Sequence, residues 1–182
     1  MTADLRSLRG QPFELLQQFE ARLRTVRLDM AAGQAETWSG LGFRVDEHWL
    51  VTPREDVLEV VVPPTLTHVP NARNWLLGVA NIRGNLLTIV DLRRFFGLPP
   101  ADPHRGQRVL VLNSQRVPAG FLVDEVAGQR QFTPNEQRHR ETARVESLAP
   151  YLLGAFVREG QPWLAMSLHK IVQSPSLRQA GL

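Results

Sequence analysis

Cysteine is absent from the 182 residues, which excludes a disulfide framework, a thiolate metal site and a cysteine nucleophile together. Long apolar runs are missing too, and none approaches the ~18 residues of a membrane span. Residues 1–9 carry Asp4, Arg6 and Arg9 with no apolar stretch behind them, so they do not read as a secretory signal. The histidines (His48, His68, His104, His139, His169) form no HxH, HxxxH or HExxH pair, and no thiol is at hand to complete a zinc site. Ser39, Ser114, Ser147 and Ser167 lie in no G-x-S-x-G elbow, and no phosphate-cradling GxxxxGK[ST] is present. The expectation is a non-enzyme without metal or cofactor, in a reducing, cytoplasmic setting.

Lysine and tyrosine are nearly absent, with Lys170 and Tyr151 alone. Little therefore titrates between pH 8 and 12, and a net charge of only +3 yields a pI near 10.4. Residues 1–91 hold nine arginines against eleven acids; residues 92–182 hold twelve basic residues against seven acids. A nucleic-acid-binding barrel using the Arg-rich second half is the competing reading. It is disfavoured because no block of five like charges occurs and the aromatics fall on apolar faces rather than between arginines. No nucleic-acid partner is expected.

What is present changes texture along the chain. Over residues 12–30, Phe13, Leu16, Phe19, Leu23, Val26 and Met30 recur every three or four positions, the period of one helix face. An amphipathic leader helix is predicted there, followed by a linker through residue 39. From residue 40 the period drops to two: Leu41, Phe43 and Val45 alternate with Gly42, Arg44 and Asp46. Further short apolar runs cover 49–51, 57–62, 109–112, 120–126, 153–157 and 163–166. Residues 98–107 read as a linker, and 134–150 as irregular. Short strands separated by Gly, Pro and Asn turns predict a mainly β chain built of small barrels.

An internal repeat organises these strands. Leu76-Leu77-Gly78 recurs as Leu152-Leu153-Gly154, 76 residues on. At the same offset Trp75 meets Tyr151, Gly84 meets Gly160, and Asp91 meets Ser167, two residue types that cap helices. Val57-Leu58-Glu59-Val60 is echoed by Val123-Asp124-Glu125-Val126, 66 residues on. The reading is a leader (1–39), two pseudo-symmetric half-barrels (about 40–97 and 107–174) and a tail (175–182). Arg83 in one copy faces Glu159 in the other, a difference that turn geometry does not require. Either both are ordinary exposed charges, or Arg83 is a planar donor aimed at a partner carboxylate or backbone.

Residues 70–93, PNARNWLLGVANIRGNLLTIVDLR, resemble the signature of the CheW family: a proline, an apolar-Gly-Val, Asn-x-Arg-Gly, an apolar strand, then Asp-Leu-Arg. Val57-Leu58-Glu59-Val60 resembles the family's V-x-E-I/V strand. The long leader, Gly42-Phe43-Arg44, Gly78-Val79-Ala80-Asn81 and Phe95-Phe96-Gly97 place the likeness with the pilus-associated, PilI-type branch. Thr88, where the family commonly has proline, and Ser167, in place of an acidic cap, depart from the pattern. The resemblance implies two SH3-like five-stranded β-barrels and a non-enzymatic adaptor, with no cofactor. Its implied partners are a CheA-type histidine kinase, through the kinase's regulatory domain, and the cytoplasmic tip of a methyl-accepting chemoreceptor. The implied output is pilus extension and retraction, and membrane association comes only through the receptor. Val57, Glu59, Gly78 and Arg83 match family contact positions, and Asn81 and Gly84 of the same turn are expected to bind a partner with them. Side chains alternate across a strand, so Leu58 and Val60 cannot face the core together with Val57 and Glu59. One face of that strand must meet a barrel wall or a partner.

Overall fold

The computed structural model describes residues 37–138 and 146–178. The leader segment 12–30 lies outside them. Alternating residues do form strands, in the order β1 (Trp38–Val45), β2 (His48–Pro53), β3 (Val57–Val61), β4 (Leu76–Ile82), β5 (Asn85–Asp91), β6 (Arg108–Leu112), β7 (Ala119–Val123), β8 (Glu125–Phe132), β9 (Gln137–Arg138), β10 (Leu152–Arg158) and β11 (Gln161–Met166). Short helices follow β5 (Leu92–Phe95) and β11 (Leu168–Val172), and a further one spans Pro175–Arg178. The run 120–126, read as one strand, breaks at Asp124, which separates β7 from β8.

The strands form two mixed sheets, β3-β6-β7-β5-β4 and β8-β1-β2-β11-β10-β9. In each, the chain leaving one edge strand folds onto the other edge. Thr67, beyond β3, pairs with Val79 of β4; Arg138 of β9 pairs with Ala155 of β10. Each sheet thus closes into a small barrel, one contiguous (residues 57–123) and one split between residues 38–53 and 125–166.

The division of the chain into 40–97 and 107–174 is therefore corrected. The repeat itself is real: β4 and β5 correspond to β10 and β11, with a register shift at Leu76/Gly78 in one pair and at Leu152/Gly154 in the other. The N–H of Asp91 donates to the Trp75 carbonyl at 2.8 Å, and that of Ser167 to the Tyr151 carbonyl at 3.1 Å. The parallel pair β5–β7 corresponds to β11–β2. What differs is chain order. The hairpin that completes the contiguous barrel, β6–β7, comes last in its unit, whereas its counterpart β1–β2 comes first in the chain. The two hairpins share no detectable motif, so sequence alone assigned each to its nearest neighbours along the chain.

Strand alternation divides the apolar side chains among three cores. On β6, Val109 and Val111 point into the contiguous barrel, while Leu110 and Leu112 join a core shared between barrels with Phe43, Leu50, Val90 and Phe121. The split barrel is filled by aromatics, with Phe132 and Phe156 stacked at 4.5 Å beside Trp163. The shared core is the largest of the three, and it holds the two barrels as one unit.

Candidate functional site

The β4–β5 turn is built by two consecutive residues at positive φ, Arg83 (52°) and Gly84 (86°), with Glu159 (52°) and Gly160 (78°) in the equivalent turn. Such turns match the twist of antiparallel strands, and the positive φ at the second position favours glycine, although a side chain there would meet nothing. Asn81 Oδ1 accepts the Gly84 N–H at 2.8 Å. Asn81 and Gly84 therefore hold the turn.

What the turn presents is Arg83. Its side chain is 79% exposed and lies 3.0 Å from the Glu59 carboxylate on β3, itself 23% exposed. The pair links the two edge strands of the contiguous sheet. In the split barrel Arg158 performs the same closure, bonding Glu136 at 2.6 Å, reaching the Gln131 carbonyl, and lying over the Phe132 ring. That bond to Arg158, with the Thr133 N–H adding to it, holds the Glu136 carboxyl down to about 2.

Two expected contact residues are placed elsewhere. Val57 is buried in the shared core, because the first residue of β3 points inward; it is a core residue. Gly78 has φ +146°, and a Cβ there would come within 2.4 Å of the Thr67 carbonyl oxygen. The backbone that approaches Gly78 is the chain's own: Thr67 and Val79 exchange N–H···O bonds of 2.8 and 2.9 Å.

Sequence reasoning set Leu58 and Val60 on the face away from Val57 and Glu59 without counting them as site residues, and it missed Val62 and Leu86. With Val57 inward, strand alternation turns Leu58 outward, 61% exposed, beside a bulge at Val57/Glu59; Val60 follows on the same face, and Val62, 67% exposed, lies just past the end of β3. Leu86, three residues after Arg83, is equally bare. Among the described residues strand β3 pairs with β6 alone and leaves its other edge unpaired. Free edges are normally blunted by charge. This one carries three apolar side chains and ends at Pro63-Pro64. The corresponding strand β8 shows Gln129 and Gln131 outward instead.

The two caps differ from each other. Asp91, whose pKa burial pushes up against the opposing pull of the Arg94 N–H and charge, accepts the Arg94 N–H at 3.2 Å. Ser167, expected to cap the second helix, makes no side-chain cap bond. Asp56, buried between β2 and β3, does so instead, accepting from Leu168 N–H at 2.9 Å and from the Ser167 hydroxyl at 3.1 Å. A third acid, Asp124, accepts from Arg93 Nε at 2.7 Å; burial draws the Arg93 pKa down, but the bond and charge of Asp124 leave it raised. Among the described residues no three His, Asp or Glu side chains converge as metal ligands. The arrangement is an apolar edge rimmed by one ion pair.

Residues 39–176 match the family described as CheW-like domain. Protein PilI of Pseudomonas aeruginosa is 38% identical over 89% of this chain and 92% of its own length. The chemotaxis protein CheW of Helicobacter pylori is 35% identical over 47% of this chain and 52% of its own. The scaffolding protein TtCheW from Thermoanaerobacter tengcongensis superposes with a TM-score of 0.67, at 19% identity, covering 78% of this chain and 96% of that one. That last likeness concerns the fold.

Proposed function

The chain belongs to the CheW-like domain family, and from that premise we propose that it is a non-enzymatic adaptor coupling a methyl-accepting chemoreceptor to a CheA-type histidine kinase. Its likeness to PilI over nearly the whole chain supports an output in type IV pilus twitching motility. The observation that carries the reading is the free β3 edge, where Leu58, Val60 and Val62 stand exposed beside the Glu59–Arg83 pair. Apolar anchors supply binding energy when water leaves them, and the charged rim sets register. Contacts of this size are individually weak, and assembly with several partners adds avidity. Among the described residues no helix is long and apolar enough to cross a membrane; recruitment to the membrane through the receptor is part of the proposal.

The nucleic-acid reading gains nothing from the geometry. Arg93, Arg108, Arg138 and Arg158 of the Arg-rich half bond the chain's own carboxylates or carbonyls. Phe132, Phe156 and Trp163 are buried rather than displayed for stacking. Titration calorimetry of the full chain against the kinase regulatory domain, and separately against a receptor-tip peptide, tests the proposal. Saturable binding to both is expected. No binding to either, with salt-sensitive binding to single-stranded DNA, would replace it with the competing reading.

A further inference from the structure

We propose that Arg93 is the residue that fixes the angle between the two barrels, as the stronger member of two pseudo-equivalent carboxylate clamps at the points where the chain crosses from barrel to barrel. The chain crosses twice, from β2 to β3 through residues 54–56 and from β7 to β8 through Asp124. Each crossing carries one buried acid, Asp56 and Asp124. Each acid faces the second residue of the short helix that ends a β-hairpin, His169 and Arg93. These two positions are 76 apart, the offset of the repeat.

The clamps differ in strength. Arg93 Nε donates to Asp124 Oδ2 at 2.7 Å, Nη2 to Asp46 Oδ1 at 2.6 Å and Nη1 to the Pro99 carbonyl at 3.0 Å. Asp124 Oδ2 also takes the Asp46 N–H at 2.6 Å. Arg93 belongs to the contiguous barrel and Asp46 to the β1–β2 turn of the split one, so the guanidinium spans the junction. Its charge is permanent, and its planar fork defines directions as well as distances. The shared apolar core adds stability without a preferred angle, since apolar burial is non-directional. At the other crossing, His169 Nε2 lies 3.8 Å from Asp56 Oδ1 and carries charge only when protonated. The remaining side-chain contacts of Asp56 (Thr52, Ser167 and Leu168 N–H) lie on the split barrel and its helix. Arg44 reinforces the Arg93 side, bonding the Asp46 carbonyl at 2.8 Å and Glu125 at 3.0 Å. For an adaptor holding two partners, this angle sets how they face each other; that consequence rests on the adaptor reading, whereas the angle itself does not.

The absence of cysteine makes a direct test simple. Asn85→Cys and Gln161→Cys, at exposed positions 76 apart on opposite barrels, take spin labels in the full chain for pulsed electron-paramagnetic-resonance distances. The parent should give one narrow distance. Arg93→Lys keeps a charge beside Asp124 but loses the fork, and its distribution should broaden at least about twofold. Asp46→Asn, which keeps an acceptor oxygen but removes the charge from one limb without stranding a buried charge, should broaden it to a lesser degree. His169→Ala should leave the width unchanged. Leu87→Ala, a cavity inside the contiguous barrel, supplies a destabilised control that should not broaden it. An unchanged width in both Arg93→Lys and Asp46→Asn, or equal broadening in Leu87→Ala, would overturn the assignment. In the adaptor assay, Arg93→Lys should bind kinase and receptor singly as the parent does, yet lose at least about fivefold in receptor-dependent kinase activation. Failure of the parent to bind either partner singly would count against the adaptor reading and leave the distance result standing.

Discussion

Arg83 reaches Glu59 yet keeps most of its side chain in water, which places it between a strut and a contact residue. An exposed ion pair of this kind contributes about 0–1 kcal/mol to stability. The equivalent turn carries Glu159 at the same backbone angle, so Arg83→Glu is tolerated there. Unfolding should shift by no more than about 1 kcal/mol, while kinase or receptor affinity falls by about 2 kcal/mol. Large destabilisation with unchanged affinity would make Arg83 a strut. Asp56 is the opposite case, because it is buried and three donors converge on one of its oxygens. Asp56→Ala should cost about 2–3 kcal/mol in chemical denaturation, and Ser167→Ala much less. Equal losses would restore Ser167 as the cap. A one-dimensional reading finds Ser167 because caps adjoin their helices. It misses Asp56, which lies 112 residues away from the N–H it accepts. Glu59 and Arg83 each stood out in the sequence, but their mutual contact did not, since 24 positions separate them in the chain.

At the scale of the element, strand β3 carries the functional claim. The pattern of five apolar residues interrupted by one Glu over 57–62 already implied that one face must meet something else. The bulge between Val57 and Glu59 was not legible, because it is set by pairing with β6. Val60→Lys adds a charge at an exposed position of an edge strand, a substitution natural edges use. It should leave the unfolding midpoint within about 0.5 kcal/mol of the parent and abolish measurable partner binding. A matched loss of stability would return Val60 to the core. Segment 133–138 tests the split barrel's closure. The Glu136 carboxyl titrates near 2 in the fold, against an ordinary value of 4.5. A depressed folded value means its stabilisation is present above pH 4.5 and is lost as pH falls from 4.5 towards 2. Arg158→Met should therefore flatten acid-induced destabilisation across that window, measured by tryptophan fluorescence. An unchanged acid limb would show that the bond to Arg158 is not what holds Glu136 ionised.

For the whole molecule, pseudo-symmetry was legible and connectivity was not. Two copies of a strand–turn–strand–helix unit stand out in sequence because their glycines and caps are fixed by backbone geometry. The β1–β2 and β6–β7 hairpins are held by packing into a shared core, which many apolar residues satisfy, so they leave no common motif. The result is one barrel drawn from a continuous segment and one closed by the first hairpin of the chain. Both crossings then run through the junction, where buried acids and apolar packing bind the barrels into a single body. A rigid body with an apolar strip on one barrel is suited to holding partners at a set geometry.

The most direct test of this account is kinase autophosphorylation in a reconstituted mixture of receptor-bearing vesicles and CheA-type kinase, with and without the purified chain. Receptor-dependent activity should appear only when the chain is added, and Val60→Lys should fail to support it at equal concentration. Full activation without the chain, or undiminished activation by Val60→Lys, would contradict an adaptor acting through the β3 edge.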